Sequence, residues 1–139
     1  MVDIVIKGRK IAGGKAQGQA LVSHQDICFI SVDPEAGIVT ERNHELEGIS
    51  IAGRILVFPT GKGSTGGSYA LYGMVQRNIA PIGIINLKAD PITAIGAIIG
   101  NIPMIDKVDS DPTRAISNGD YVELDADQGI AVVSRKPAD

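Results

Sequence analysis

Four glycines fall within the seven residues Gly61-Lys62-Gly63-Ser64-Thr65-Gly66-Gly67, and this density constrains the chain more than any other stretch. The apolar, partly β-branched run at 54–58 comes just before it and closes on Pro59, and after it Leu71, Met74, Val75 and Asn78 recur at spacings of three and four. The first pattern predicts a buried strand and the second a helix with one apolar face, so the glycines join a strand end to a helix start. Such a joint builds an anion pocket. Glycine lets the main chain turn tightly and come close to a ligand, while the free N–H groups of the helix's first turn point outward at the positive end of its dipole. Ser64 and Lys62 stand at the mouth of that pocket. The bland alternative is a turn in which Ser64 or Thr65 caps the helix and Lys62 is merely solvated. A cap wants one hydroxyl and one flexible joint, whereas four glycines carry an entropic cost that close approach of a ligand justifies.

The rest of the chain sets limits on the ligand. At 139 residues it fits one domain, 1–139, short for an enzyme that must bind a large cofactor and a substrate unaided. Two Phe, three Tyr and no Trp make base stacking an unsuitable task, and a net charge of −3 without any Lys/Arg cluster excludes nucleic acid as the expected partner. Residues 1–7 form a short alternating segment containing Asp3 rather than a secretory leader, and no apolar run approaches membrane-spanning length. A cytoplasmic protein without a membrane partner is expected. Cys28 is the single cysteine, which excludes an internal disulfide and a three- or four-thiolate metal centre built from this chain.

Periodicity and turn residues predict an α/β chain. Residues 4–7 and 18–23 read as strands with Gly13-Gly14 turning between them, and 31–48, polar and acidic around Pro34, reads as surface connection. Residues 80–87 form a second strand, parallel to 54–58, so that 54–87 is a β-loop-α-β unit. Asp90-Pro91 opens another helix, Asp90 as cap and Pro91 at the first position. Ile92, Ile95 and Ile99 share one side of it and Ala94, Gly96, Ala97 and Ile98 fill the others, which predicts packing on several faces. A strand at 102–108, a helix start at Asp111-Pro112 and a hairpin of 121–124 with 130–133 complete the reading.

Three familiar motifs fit the loop poorly. Gly61-Lys62-Gly63-Ser64-Thr65-Gly66 spells a dinucleotide fingerprint, but the next strand ends in Asn86-Leu87-Lys88 with no acid for a ribose, and some sixty residues precede the motif. Gly63 follows Lys62 where a phosphate-cradling nucleotide loop needs a hydroxyl for magnesium. Ser64 lacks the preceding glycine of a hydrolase elbow, with Lys62 there, and Ser68 lacks the following one, with Ala70 there; His24 and His44, in unrelated segments, read as surface or capping residues rather than general bases.

The run from Ala52 through Gly61-Lys62-Gly63-Ser64-Thr65 to Ser68-Tyr69 resembles the small subunit of aconitase X. So do Ala80-Pro81 leading to Ile84-Ile85-Asn86, Ala94-Ile95-Gly96-Ala97 before Ile102-Pro103, and Gly119-Asp120 with Asp125-Ala126-Asp127-Gln128-Gly129, in order along nearly the whole chain. The resemblance implies a swivelling β/β/α domain like the mobile fourth domain of aconitase, closing over a large subunit that carries an iron–sulfur cluster, with no cofactor bound by this chain itself. It implies a heteromeric hydro-lyase acting on a small phosphorylated hydroxy acid, with Ser64 taking the proton; Lys62, Gly63, Thr65 and Asn86 are the candidates for positioning that substrate. In the archaeal branch that reaction is dehydration of (R)-5-phosphomevalonate to trans-anhydromevalonate 5-phosphate, a step toward isoprenoids; a bacterial relative dehydrates cis-3-hydroxy-L-proline. From a different class, the loop of a non-catalytic module would hold an anion without reacting.

Overall fold

A computed structural model describes residues 3–135. Its strands are β1 (Asp3–Lys7), β2 (Arg9–Ala12), β3 (Lys15–Val22), β4 (Ile55–Phe58), β5 (Gly83–Asn86), β6 (Met104–Asp106), β7 (Tyr121–Asp125) and β8 (Ile130–Ser134). Its helices are α1 (Gly66–Gln76), α2 (Pro91–Gly100) and the short α3 (Pro112–Ala115). The strand order is β1-β8-β7-β3-β4-β5-β6-β2. β3, β4, β5 and β6 run parallel, while β1, β8, β7 and β3 are joined antiparallel, as β2 is to β6.

Strand β3 links the two halves of this sheet. Its first residues, Lys15 to Gln19, pair with β7, and its last, Ala20 to Val22, pair with β4. The two halves therefore face one another across a core in which Ile6, Val122, Leu124 and Val133 meet Ile55, Val57, Ile85 and Ile105. On the far side of the parallel strands, Leu56, Phe58, Ile84 and Met104 meet Leu71 and Met74 of α1 and Ala97 of α2. The result is sheet upon sheet upon helix, the β/β/α layering the resemblance implies. Covered on both faces, β4 is an unbroken apolar run in which all four side chains are buried. The expected β-loop-α-β unit is present, with β4 and β5 in parallel register from Ile55 opposite Gly83 to Phe58 opposite Asn86.

Three expectations are corrected. Residues 31–48 are not merely surface connection: Val32, Val39 and Leu46 are buried in the helix-side core, a 3-10 turn covers Phe29–Ser31, and isolated bridges join Val32 to Val39 and Ile38 to Ser50. The apolar residues there are too widely spaced to show a period. Strand β2 was not expected, because Arg9-Lys10 masks it; its pairing with β6 supplies the order. Helix α2 is not packed on several faces, since Ile95, Ile98 and Ile99 are each about half exposed.

The pairing of β2 with β6 carries one buried charge. Arg9 donates to both carboxylate oxygens of Asp106 at 2.9 and 3.0 Å, and the same carboxylate accepts the Ala89 N–H at 2.8 Å, tying the sheet edge to the residue before Asp90. Burial alone would push the Asp106 carboxyl upward, but the Arg9 and Ala89 hydrogen bonds and the Arg9 charge outweigh it and hold the group below 3.8. Stability from a depressed carboxyl is complete above its unfolded value and is lost as pH falls through the folded one. Thermal melting of the wild-type chain should therefore drop as pH goes below about 3.8, and Asp106→Asn, less stable at neutral pH, should show a smaller drop; equal slopes would reject this role.

Candidate functional site

The loop between β4 and α1 is held by backbone on one side and by a carboxylate on the other. Along its first half it runs beside residue 27: the Ile27 N–H reaches Thr60 O at 3.2 Å and the Lys62 N–H reaches Ile27 O at 2.9 Å. Opposite, the Gly61 N–H donates to Asp90 Oδ1 at 2.9 Å, while Asp90 Oδ2 accepts the Thr93 N–H at 3.1 Å as the cap of α2. A Cβ on Gly61 would overlap Thr93 Oγ1 and the Asp90 carboxylate, so only glycine lets the strand tip come this close. Gly63 has φ +111°, and a Cβ there would stand 2.8 Å from Cys28 Sγ. Both glycines are required by geometry.

Helix α1 begins where the loop ends. The Gly67 N–H bonds to Ser64 O at 2.9 Å, so the helical ladder starts from the Ser64 carbonyl, and Ser64 itself is exposed. Its Oγ lies over the first turn, 3.7 Å from where a Cβ on Gly66 would stand. Thr65 occupies the cap position with φ −56° and ψ −23°, a helical conformation, and makes no capping bond through its side chain. Plain capping therefore does not describe Thr65. No acid lies in the first turn, so the positive end of α1 meets no carboxylate from its own helix.

Lys62 is not merely solvated. Its Nζ lies 2.7 Å from Glu41 Oε2, and that hydrogen bond, against a smaller opposing effect of burial, raises the ammonium above its ordinary 10.5. Asn86 is wholly buried at the tip of β5; its Nδ2 donates to Phe58 O at 3.0 Å, at the root of the loop, and its Oδ1 has no hydrogen-bond partner among the described residues. The structure thus gathers Lys62, Gly63, Ser64 and Thr65 on the exposed rim and sets Asn86 behind them. His44 is buried, with Nε2 2.9 Å from Asp26 O and Nδ1 3.0 Å from the Leu46 N–H, so both ring nitrogens are occupied by backbone. His24 is exposed beside the Glu45 carboxylate.

Sequence reasoning saw Asp90 only as a cap and did not find Glu41. The cap left a local signature, Asp before Pro. The bond from Asp90 to Gly61 spans 29 residues and the Lys62–Glu41 pair spans 21, and neither separation leaves a pattern in the chain. Among the described residues no group of three or more His, Cys, Asp or Glu side chains is placed to hold a metal ion. No helix among them is long and apolar enough to cross a membrane.

Comparison with known proteins bears on this geometry. A family model described as the aconitase X swivel domain matches residues 5–133. The chain is 48% identical over 130 residues to the phosphomevalonate dehydratase small subunit of Methanosarcina acetivorans, covering 93% of this chain and 90% of the relative. It is 51% identical over 125 residues to the protein of the same name from Thermococcus kodakarensis, covering 89% and 92%. A crystal structure of Thermococcus kodakaraensis aconitase X in its holo-form superposes with a TM-score of 0.89 at 49% identity, covering 94% of this chain and 98% of that one.

Replacing Asp90 should loosen loop and helix together. Asp90→Ala is expected to cost about 1–2 kcal/mol in chemical unfolding from the lost cap and the unpaired Gly61 N–H. Asp90→Ser should restore the cap alone, with part of the stability but not the protection of the Gly61 amide from hydrogen exchange. Full protection in Asp90→Ser would show that the carboxylate is not the loop's anchor.

Proposed function

This chain belongs to the aconitase X swivel-domain family, and from that premise we propose that it is the small subunit of a cytoplasmic dehydratase that removes water from (R)-5-phosphomevalonate, giving trans-anhydromevalonate 5-phosphate, with Ser64 as the proton acceptor. The observation that carries this reading is an exposed serine at the start of α1, on a loop whose course is fixed by Asp90 and by the backbone at Ile27. The relatives' names favour the phosphorylated substrate over hydroxyproline. An iron–sulfur cluster in the large subunit would supply Lewis acidity toward the departing hydroxyl.

What this chain contributes follows from its own groups. A serine alkoxide is unfavourable in water, and the positive end of the α1 dipole offsets only about 0.3–1 kcal/mol of that at an exposed position, less than one pKa unit. The remainder requires exclusion of water when the domain closes over its partner. Lys62 is not the base. Glu41 holds it cationic above 10.5, so at neutral pH it has no lone pair to accept a proton and serves instead to attract and orient negative charge. Gly63 and Thr65 offer backbone and hydroxyl donors on the same rim, and Asn86 acts from behind, fixing the loop's root through Phe58 O. Lys62, Gly63 and Thr65 form the substrate-binding set, and Asn86, expected among them from the sequence, is instead buried and positions the loop that carries them.

The test is reconstitution. Small and large chains mixed anaerobically should turn over (R)-5-phosphomevalonate, and Ser64→Ala should bind the large chain normally yet lower kcat by about 10²–10⁴-fold. Lys62→Ala should chiefly raise KM, by about tenfold. Unchanged kcat in Ser64→Ala would remove Ser64 from the mechanism, and turnover of cis-3-hydroxy-L-proline alone would overturn the substrate.

A further inference from the structure

Helices facing water in a globular chain normally present a charged stripe opposite their buried one. Neither α1, eleven residues, nor α2, ten residues, contains a single charged side chain. Apart from Gln76 at the end of α1, their most exposed side chains are apolar or aromatic: Tyr69 is 80% exposed, and Ile95, Ile98 and Ile99 are 50%, 54% and 53% exposed. Between the helices runs a groove of about 540 Å³ lined by Thr65, Tyr69, Tyr72, Ile92, Ile95 and Ile99 among others. Ser68 Oγ donates to Ile92 O at 2.6 Å beside it, so the two helices present one surface. Enrichment in aromatic residues with depletion of charge marks the centre of a protein interface. An anionic membrane is a poor occupant, because neither helix supplies a lysine or arginine to meet its headgroups.

We infer that this outer α1–α2 face is where the large subunit docks, and that docking there roofs the Ser64 rim. The inference rests on the two-subunit reading above. Thr65 lines the groove and directly follows Ser64, so a body that fills the groove reaches the residue next to the exposed serine. That is the water-excluding cover the proton acceptor needs. A second copy of this chain on the same face would lay one uncharged surface over another and crowd two serines together without bringing the remainder of a site. The expected counter-surface is apolar, with recesses for Tyr69 and the α2 isoleucines.

The test uses charge at exposed positions, where folding is little affected. In the double variant Ile95→Glu/Ile99→Glu, affinity for the large chain, measured anaerobically by titration calorimetry, should weaken at least about 100-fold. Circular dichroism and melting should match the wild type, and Tyr69→Lys provides a second probe, expected to weaken binding about tenfold, should the double variant not fold. Val5→Glu, at a half-exposed site on β1, should bind as the wild type does. Wild-type affinity in the double variant or in Tyr69→Lys overturns the inference, as does equal weakening by Val5→Glu. So does an isolated wild-type chain that sediments as a dimer and is dissociated by the same changes. A complex that forms through this face yet does not dehydrate (R)-5-phosphomevalonate rejects the functional reading and leaves the docking face standing; turnover with unweakened binding by the variants does the reverse.

Discussion

The glycine loop leaves β4 with little side-chain bulk to hold it, so its course depends on whatever grips its backbone, and the firmest grip is the Asp90 carboxylate. One oxygen takes the Gly61 N–H and the other the Thr93 N–H, so that loop and α2 start move as one piece. The absence of a Cβ at Gly61 is what allows the carboxylate this close. Behind Asp90 stands a second carboxylate, Asp106, which holds Ala89 and is itself neutralised by Arg9 from the sheet edge. A chain of contacts thus runs from an arginine on β2 to the loop that carries Ser64.

Electrostatics at the rim follow from the same architecture. The paired Lys62 presents less free charge than its place in the sequence suggests, because Glu41 already occupies it. In the proposed site, attraction for a phosphate or carboxylate then falls more heavily on the positive end of α1, which has no acid of its own to quench it. The apolar face of α1 and α2 begins where that rim ends. On the proposed reading, charge recognition and subunit contact are neighbours in space, which suits a site that must be dry when it reacts.

Much of this arrangement was legible in the chain. The apolar run that ends at Phe58 announced a doubly covered strand, the glycines announced a strand-to-helix joint, and Asp90-Pro91 announced a helix start, because each is a local pattern with a local cause. Family resemblance supplied the β/β/α layering before any coordinates did. The misreadings share another cause. Val32, Val39 and Leu46 are buried by partners far away in the chain, and β2 exists because β6 pairs with it, so neither showed a period. The isoleucines of α2 differ in the opposite direction: their apolar character predicts burial, whereas Ile95, Ile98 and Ile99 are each about half exposed.

The chain by itself determined that 54–87 runs strand, glycine loop, helix and strand, that a helix starts at Asp90-Pro91, and that a serine and a lysine would share a glycine-rich joint, because propensity, capping and close backbone approach act over a few residues. Only the tertiary structure decided which carboxylate pins that joint, which acid occupies the lysine, and which helical face is left uncovered. Those outcomes depend on contacts between residues some twenty to a hundred positions apart, such as Lys62 with Glu41 and Arg9 with Asp106, and no local pattern encodes a partner at such range.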